Sequence, residues 1–128
     1  MSVTQALAQF IVNGTYNDLP EAAVVAAKRG ILDFIAVTLA GSREPVAQKV
    51  QDYARQTNCS DQATVMNGKF KTSACLAALA NGAMAHAMDY DDVIHVPPFW
   101  LGHPSVAILP AVLAVAEMKD LSGQEVIL

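Results

Sequence analysis

Basic side chains are scarce in this sequence, and one long segment has none. The 128 residues include 8 lysines and arginines against 12 aspartates and glutamates, which gives a formal net charge of -4. Residues 72–118 contain no lysine or arginine. Because neutralising nucleic-acid phosphates requires clustered basic residues, the composition argues against a nucleic-acid partner.

Sorting and crosslinking signals are also missing. The first residues, MSVTQALAQF, lack the positive segment of a secretory signal and the arginines of a transit peptide. Polar residues interrupt the apolar runs before they reach the roughly 18 residues that a membrane span needs. Cys59 and Cys75 form no disulfide framework, and Cys75 falls in a predicted buried helix, where packing is its expected role. We therefore expect a cytoplasmic, reduced protein with no membrane partner.

Apolar residues, by contrast, are abundant. Hydrophobic residues make up 53% of the chain and charged residues 16%, whereas an ordinary soluble domain has roughly 45–50% and 25%. A chain of this length has room for one domain with a modest core. The excess predicts either an unusually large interior or apolar faces that are buried against something else.

The spacing of apolar residues predicts an all-α chain of six helices. Proline suits the first turn of a helix, and Ser or Thr followed three residues later by Glu or Gln forms a capping box. In the third helix, Val46, Val50 and Tyr53 are expected to face the core. The helices are predicted to begin at Ser2, Pro20, Pro45, Thr72 or Ser73, His103-Pro104 and Ser122, and the first five to end near Gly14, Leu39, Thr57, Met88 and Met118.

At most one short extended segment is expected, near residues 62–70. The stretch ATVMNGKFKT has β-branched residues followed by Asn67-Gly68, a dipeptide typical of hairpin turns. Residues 89–102, between the fourth and fifth helices, are predicted to form a loop. In that loop, Phe99 and Trp100 would either wall a pocket or simply pack against the loop.

The stretch AHAMDYDDVIH concentrates carboxylates at an unfavourable position. Asp89, Asp91 and Asp92 crowd together after the fourth helix, whose C-terminal end carries partial negative charge. No lysine or arginine of the segment offsets their repulsion, so the balancing charge must come from elsewhere in the fold, from a partner or from a ligand. The pattern indicates a functional site, although a solvated turn beginning at Asp89 explains the run about equally well.

Three histidines flank this acidic run. His86 lies on the fourth helix, where a hydrogen-bonded helix-end histidine is the commoner role. His103 precedes a proline at a predicted helix start, where it would cap the helix or lie beside N–H groups that attract an anion. Carboxylate and imidazole together move protons on and off small acids. A metal held by Asp91, Asp92 and His95 is the alternative, but the spacing matches no metal motif, so no metal is predicted.

The combined motifs resemble the MmgE/PrpD family. AALANGAMAHAMDYDD followed by GHPSVAILPAVLAVAE is similar to the amino-terminal helical domain of that family, and SGQEVIL agrees as well. The resemblance covers nearly the whole chain. The family includes 2-methylcitrate dehydratase, cis-aconitate decarboxylase and iminodisuccinate epimerase. The resemblance therefore implies a cofactor-independent lyase or isomerase that acts on a small di- or tricarboxylate by proton transfer next to a carboxylate.

The resemblance also implies roles for single residues. Asp89 and His103 would be catalytic: His103 would bind or protonate the substrate, and Asp89 would orient a catalytic group or a substrate hydroxyl. Asp92 and His86 are assigned to substrate binding. Val93 stands where members of the family often have threonine. This departure leaves the identity of the substrate open, and the sequence does not choose among dehydration, decarboxylation and epimerisation.

Length and domain organisation follow from the same resemblance. Family enzymes are several-fold longer, have a helical domain and a smaller α+β domain with the pocket between them, and usually form homodimers. We therefore expect residues 1–128 to be the amino-terminal portion of the helical domain, without the α+β domain and inactive alone. The expected partner is a second copy or the missing carboxy-terminal portion. A non-catalytic helical association module is the alternative, and a metal-dependent enzyme using the acidic run is a third interpretation.

Overall fold

Helices make up most of the chain. The computed structural model describes residues 2–57 and 59–128, except for the side chains of residues 99–101. A short 3-10 turn, Tyr16–Asp18, lies between the first two helices. Within the described ranges the α-helices are α1 (Val3–Asn13), α2 (Glu21–Gly41), α3 (Pro45–Gln56), α4 (Ala74–His86), α5 (Pro104–Lys119) and α6 (Gly123–Ile127).

The all-α prediction is confirmed, and the helix starts follow from local capping. At α1, Ser2 and Gln5 exchange hydrogen bonds between side chain and backbone N–H in both directions. The same capping box recurs at α6. Of the two candidates for the cap of α4, Ser73 is the one that accepts a hydrogen bond, from the N–H of Leu76. These contacts join neighbours in the chain, so the sequence alone specifies them.

Two short hairpins interrupt the helices, where one extended segment was expected. Strands β1 (Ala63–Val65) and β2 (Phe70–Thr72) pair antiparallel and confirm the segment near 62–70. Strands β3 (Ile94–Val96) and β4 (Phe99–Gly102) pair within the span predicted as a loop. The loop prediction was wrong because proline weakens the sequence signal for a strand. Pro97 and Pro98 both lie in the turn between β3 and β4, so the backbones of the two strands can still pair.

Helix α4 lies at the centre of the core. It contacts α2, α3, α5 and strand β1, and small side chains let these neighbours approach closely. Its N-terminal half packs with Ala47 and Ala54 of α3, and its C-terminal end packs near Phe34 of α2. The residues that α4 buries are Ala74, Ala77, Ala80, Asn81, Met84 and Ala85.

The buried face of α3 differs from the expected one. Val46 and Tyr53 are 51% and 58% exposed, and only Val50 of the three is partly buried. The residues that α3 buries are Ala47, Gln51 and Ala54. Since α3 packs directly on the alanine-rich α4, close approach favours small side chains over large ones at the contact.

Large apolar side chains remain exposed on several helices. No residue of α1 is buried, and Cys75, expected to pack inside α4, is exposed as well. No helix of residues 2–57 or 59–128 has the length and apolar character needed to cross a membrane. The most exposed large apolar residues of α1, α2 and α5 are Val3, Leu7, Phe10, Ile11, Val12, Leu32 and Ile108.

Candidate active site

Two carboxylates and two histidines meet where α4 ends and α5 begins. His86 is the last residue of α4, Asp89 and Asp91 follow it, and His103 directly precedes α5. Because α4 and α5 pack against each other, this end of α4 and this start of α5 are adjacent. One potential ligand atom from each of these four residues lies within 4.8 Å of the others. We call His86, Asp89, Asp91 and His103 the α4–α5 cluster.

Asp91 is the buried centre of the α4–α5 cluster. Its side chain is 2% exposed, and its Oδ1 lies 2.9 Å from Nδ1 of His86. Its Oδ2 lies 3.1 Å from Nδ1 of His103. The two imidazole rings meet edge to face, with centroids 4.8 Å apart. Burying a carboxylate is costly unless it is paired, and here both of its oxygens face imidazoles.

The contact between Asp91 and His103 is close but not aligned. Oδ2 of Asp91 and Nδ1 of His103 are both buried without a hydrogen bond, although they are 3.1 Å apart. The direction of the N–H, rather than the distance, is therefore unsuitable. Hydrogen bonds at active sites are often misaligned before substrate binds and tighten afterwards. A rotation of the His103 ring would align its Nδ1 with Oδ2 of Asp91 and complete this hydrogen bond.

Asp89 forms the solvent-exposed side of the cluster. Its side chain is 79% exposed, and its Oδ1 is 3.5 Å from Nε2 of His103, whose side chain is 26% exposed. The backbone of Asp89 has a φ of 50°, a left-handed conformation that aspartate tolerates better than most residues. Its N–H donates to the carbonyl of His86. The turn after α4 thus carries Asp89 to the outer nitrogen of His103.

Asp92, assigned to substrate binding from the sequence, lies outside the cluster and holds the start of α5. Its carboxylate accepts hydrogen bonds from the N–H of Ser105 at 3.2 Å and from its hydroxyl at 2.6 Å. His103 occupies the N-cap position of α5 but makes no capping hydrogen bond with its side chain. Asp92 therefore fills the anion position that the helix start offers.

Asp92 also borders an apolar cavity of about 530 Å³ between α2, α5 and α6. Its role in substrate binding stays a prediction. The cavity is also lined by Gly30 and Ile31 of α2 and by Ile108 of α5, among other residues. Such a wall suits apolar packing rather than the binding of a carboxylate-rich molecule.

In the described part of the chain, no lysine or arginine forms an ion pair with the α4–α5 cluster. Among the described residues, the ion pairs that involve them are Arg55–Asp52 and Lys71–Glu117. Asp89 and Asp91 pair instead with His103 and His86. The histidines are thus the nearby groups that can pair with the crowded carboxylates. A ligand that brings further carboxylates would need additional cations.

The donor set of the cluster would also suit a divalent cation, since imidazole and carboxylate are common metal ligands. The residues that gather are not the metal set considered from the sequence, however. Asp91 belongs to the cluster, but Asp92 is bound to Ser105 and His95 lies on the exposed strand β3. Both oxygens of Asp91 already face imidazole nitrogens, so an ion would have to displace these contacts.

Sequence reasoning placed Asp89, His86 and His103 at one site and missed the central role of Asp91. Asp91 was considered only as part of the acidic run and as a metal ligand. Nothing in the sequence shows which of the aspartates becomes buried. The side chains of Phe99 and Trp100, considered as pocket walls, lie outside the described part of the structure.

Comparison with known proteins finds a family model and several relatives that match nearly the whole chain. The family model of the MmgE/PrpD N-terminal domain matches residues 5–128. A cis-aconitate decarboxylase of Mus musculus is 32% identical over 132 residues, covering 99% of this chain and 26% of the relative. A cis-aconitate decarboxylase of Aspergillus terreus is 30% identical over 131 residues, covering 98% and 26%. The human cis-aconitate decarboxylase is 29% identical over 117 residues, covering 91% and 24%. The chain thus spans 24% to 26% of the length of these relatives.

Proposed function

This chain belongs to the MmgE/PrpD family, and we propose that it carries part of the active site of a cofactor-independent enzyme acting on a small di- or tricarboxylate. Residues 1–128 would form the amino-terminal portion of its helical domain. The observation that carries the proposal is the arrangement of His103, whose Nδ1 faces the buried Asp91 while its Nε2 faces the exposed Asp89. Three relatives from different organisms carry the name cis-aconitate decarboxylase, which makes cis-aconitate the first substrate to test.

The proposed chemistry is proton transfer at a carbon next to a carboxylate. In a decarboxylation, the carbon–carbon bond to the departing carboxylate breaks, carbon dioxide leaves, and the electron pair remains on the substrate carbon. That carbon then takes a proton, which protonated His103 would donate from Nε2. In a dehydration, neutral His103 would instead remove the proton from the carbon through Nε2, and the electron pair would form the double bond as the carbon–oxygen bond breaks. The leaving hydroxide would take that proton back from the imidazolium and depart as water. A positioned histidine contributes about 100- to 10,000-fold to such steps.

Cations for the substrate would come from outside the segment that carries the cluster. A tricarboxylate brings up to three negative charges to a site that already holds Asp89 and Asp91. Residues 72–118 include no lysine or arginine, and buried or clustered like charges repel strongly. We expect the cations from another part of the whole protein or from a second copy of the chain.

We also propose that the exposed apolar faces of α1, α2 and α5 are covered in the assembled protein, by a second copy in a homodimer or by further chain. Leu7, Phe10 and Ile11 of α1 are each more than half exposed, and a large exposed apolar patch would mark an interaction site. Light scattering on the purified protein would test this by giving its molar mass. Both cysteines are free, which fits the proposed cytoplasmic location.

The deciding experiment compares the full-length protein that contains this sequence with the 128-residue chain. Carbon dioxide release from cis-aconitate and loss of water from 2-methylcitrate would be measured for both. We expect turnover by the full-length protein and none by the short chain. His103→Gln should lose activity while Asp52→Asn, a surface control on α3, should keep it. A folded full-length protein that is inactive on both substrates, or a His103→Gln variant of full activity, would contradict the proposal.

The association module is the alternative that this experiment also addresses. If the chain alone forms a discrete oligomer, melts cooperatively and shows no affinity for tricarboxylates by calorimetry, the exposed apolar faces would be its functional surface. The enzyme proposal instead predicts that tricarboxylate binding by the full-length protein weakens in the His103→Gln variant.

A further inference from the structure

The same ring nitrogen of two histidines faces one buried carboxylate. Nδ1 of His86 is 2.9 Å from Oδ1 of Asp91, and Nδ1 of His103 is 3.1 Å from Oδ2. The three side chains come from the end of α4, the turn after it and the residue before α5. The carboxylate thus joins the two segments that carry the candidate site.

The neighbouring aspartate shows that this arrangement is specific to Asp91. Asp92 makes the contacts expected of a structural carboxylate, because it accepts hydrogen bonds from the backbone and hydroxyl of Ser105 at a helix start. The contacts of the Asp91 carboxylate in the described structure are with the imidazoles of His86 and His103. Its Oδ2 and the facing Nδ1 of His103 are both buried and make no hydrogen bond. A buried oxygen with no partner except a misaligned imidazole needs a role beyond capping.

A carboxylate facing Nδ1 determines which nitrogen of a neutral imidazole carries the proton. An ionised carboxylate only accepts hydrogen bonds, and His103 has one near each ring nitrogen. Asp91 is buried and 3.1 Å from Nδ1, whereas Asp89 is 79% exposed and 3.5 Å from Nε2, so the N–H of His103 is favoured on Nδ1. Its Nε2 is then left with a free lone pair when the ring is neutral, and this is the nitrogen on the side of the exposed Asp89. The partner of one ring nitrogen sets the chemistry available at the other.

We propose that Asp91 is a positioning residue that holds His103 in the Nδ1–H tautomer with Nε2 toward the substrate, and that His86 positions Asp91 by binding its other oxygen. The proposal deepens the proposed function, because it assumes that His103 transfers the proton. Asp91 touches no substrate in this scheme. His86, assigned to substrate binding from the sequence, becomes a second positioning residue instead.

The tautomer of His103 tests the proposal without any activity. Long-range nitrogen–proton correlation spectra at one fixed pH distinguish Nδ1–H from Nε2–H in the folded protein. We expect Nδ1–H for His103 in the wild type. In Asp91→Asn the new amide can donate to Nδ1, so the tautomer should change to Nε2–H. Asp52→Asn, an exposed carboxylate on α3, is the matched control and should leave His103 unchanged.

The wild-type spectrum tests the proposed tautomer of His103 even if Asp91→Asn fails to fold. A neutral His103 that is mainly Nε2–H in the folded wild type would overturn the proposal, as would a tautomer that Asp91→Asn leaves unchanged. His86→Gln and His86→Ala form a second pair. Glutamine keeps an N–H donor for Asp91 and alanine does not, so the tautomer preference should survive in the first variant and weaken in the second.

Kinetics of the full-length enzyme separate positioning from a general structural role. Asp91→Asn should lower kcat by about 10-fold or more and change KM less than about threefold, because the substrate does not touch Asp91. His86→Gln should recover most of the kcat that His86→Ala loses. Equal losses in the two His86 variants, or a rise in KM alone, would contradict positioning. An inactive wild type with the expected tautomer would instead refute only the proposed function.

Discussion

Gly41 of α2 lies directly against the main-chain carbonyl of Met84 in α4, so closely that a Cβ on Gly41 would overlap that oxygen. Met84 is fully buried and stands two residues before His86, the first member of the α4–α5 cluster. The close approach of α2 therefore sets where the end of α4 lies. It links the packing of the core to the geometry of the candidate site.

Replacing Gly41 by alanine should destabilise the protein by about 1 to 3 kcal/mol, because the added methyl group forces α2 and α4 apart. The matched control is Gly30→Ala in the same helix, where the nearest atom to a new Cβ is Oγ of Ser105 at an ordinary 3.7 Å. It should be neutral or stabilising by up to about 1 kcal/mol. Urea unfolding measures both, and equal stabilities for the two variants would refute the tight contact.

Asn81 should be the polar residue of α4 that matters most for stability. Its side chain is buried, accepts from the N–H of Met66 at 2.8 Å and donates to the carbonyl of Thr64 at 3.0 Å. Asn81→Ala leaves both backbone groups unpaired, at a cost of about 2 kcal/mol or more. Leu79→Ala, half exposed on the same helix, should cost less in the same thermal and urea unfolding measurements.

Asp92→Ala should weaken the start of α5. Losing the two hydrogen bonds to Ser105 should lower the free energy of unfolding by about 1 kcal/mol. Asp52→Ala, which removes an exposed ion pair with Arg55, should change it by less than about 0.5 kcal/mol. A substrate-binding role would show instead as a higher KM in the full-length enzyme with unchanged stability, and that result would restore the assignment made from the sequence.

Glu117 makes stability depend on pH in a defined direction. Burial acts to raise its pKa, but hydrogen bonds from Thr64 and Lys71 outweigh burial and hold the pKa below its ordinary value of 4.5. A carboxyl with a lowered pKa stabilises the fold above its unfolded pKa and loses this contribution as pH falls through the folded pKa. The wild type should therefore exceed Glu117→Gln in stability at pH 6, with the gap narrowing by pH 3.

Urea unfolding of both proteins at the two pH values provides the test for Glu117. The carboxyls of Asp18 and Glu125 also have lowered pKa values, through hydrogen bonds from Thr15 and Ser122 respectively. Their effects are common to both proteins and cancel in the difference. If the difference in free energy of unfolding between wild type and Glu117→Gln does not change with pH, the charge of the Glu117 carboxylate contributes nothing to stability.

Removing metal should leave activity intact. Asp91 uses its oxygens on His86 and His103, and a cation would have to break these contacts to reach it. Dialysis of the full-length protein against a strong chelator, followed by elemental analysis and an assay with cis-aconitate, should show unchanged turnover. Loss of activity that added zinc, manganese or iron restores would favour the metal-dependent interpretation and count against Asp91 as a positioning residue.

Local chemistry was sufficient to predict much of the fold. At α1, the side chain of Ser2 accepts a hydrogen bond from a backbone N–H in the first turn of the helix. At α5, the proline in the first turn has no N–H that would need a partner. The turn at Asn67-Gly68 has a positive φ at Asn67, which its residue type already favours. The pairing of β3 with β4 was missed because prolines in a turn look the same in sequence as prolines that end a strand.

The buried faces were harder to predict. Val46 and Tyr53 are the larger apolar residues of α3, yet Ala47 and Ala54 face α4. Apolar character alone did not identify the contact, because an alanine-rich partner helix selects neighbours by size. Cys75 is also exposed although its helix lies in the centre of the core, because the sequence did not show which face of α4 is buried.

By itself, the sequence determined that carboxylates and imidazoles would gather near the end of α4 and the start of α5, since it places Asp89, His86 and His103 at adjoining element ends. Only the tertiary structure decided that Asp91 becomes the buried centre and Asp92 the cap of α5. These two neighbours are identical in chemistry and adjacent in the chain. Packing of α4 on α5 separates them, because it removes water from one carboxylate and turns the other toward the unpaired N–H of a helix.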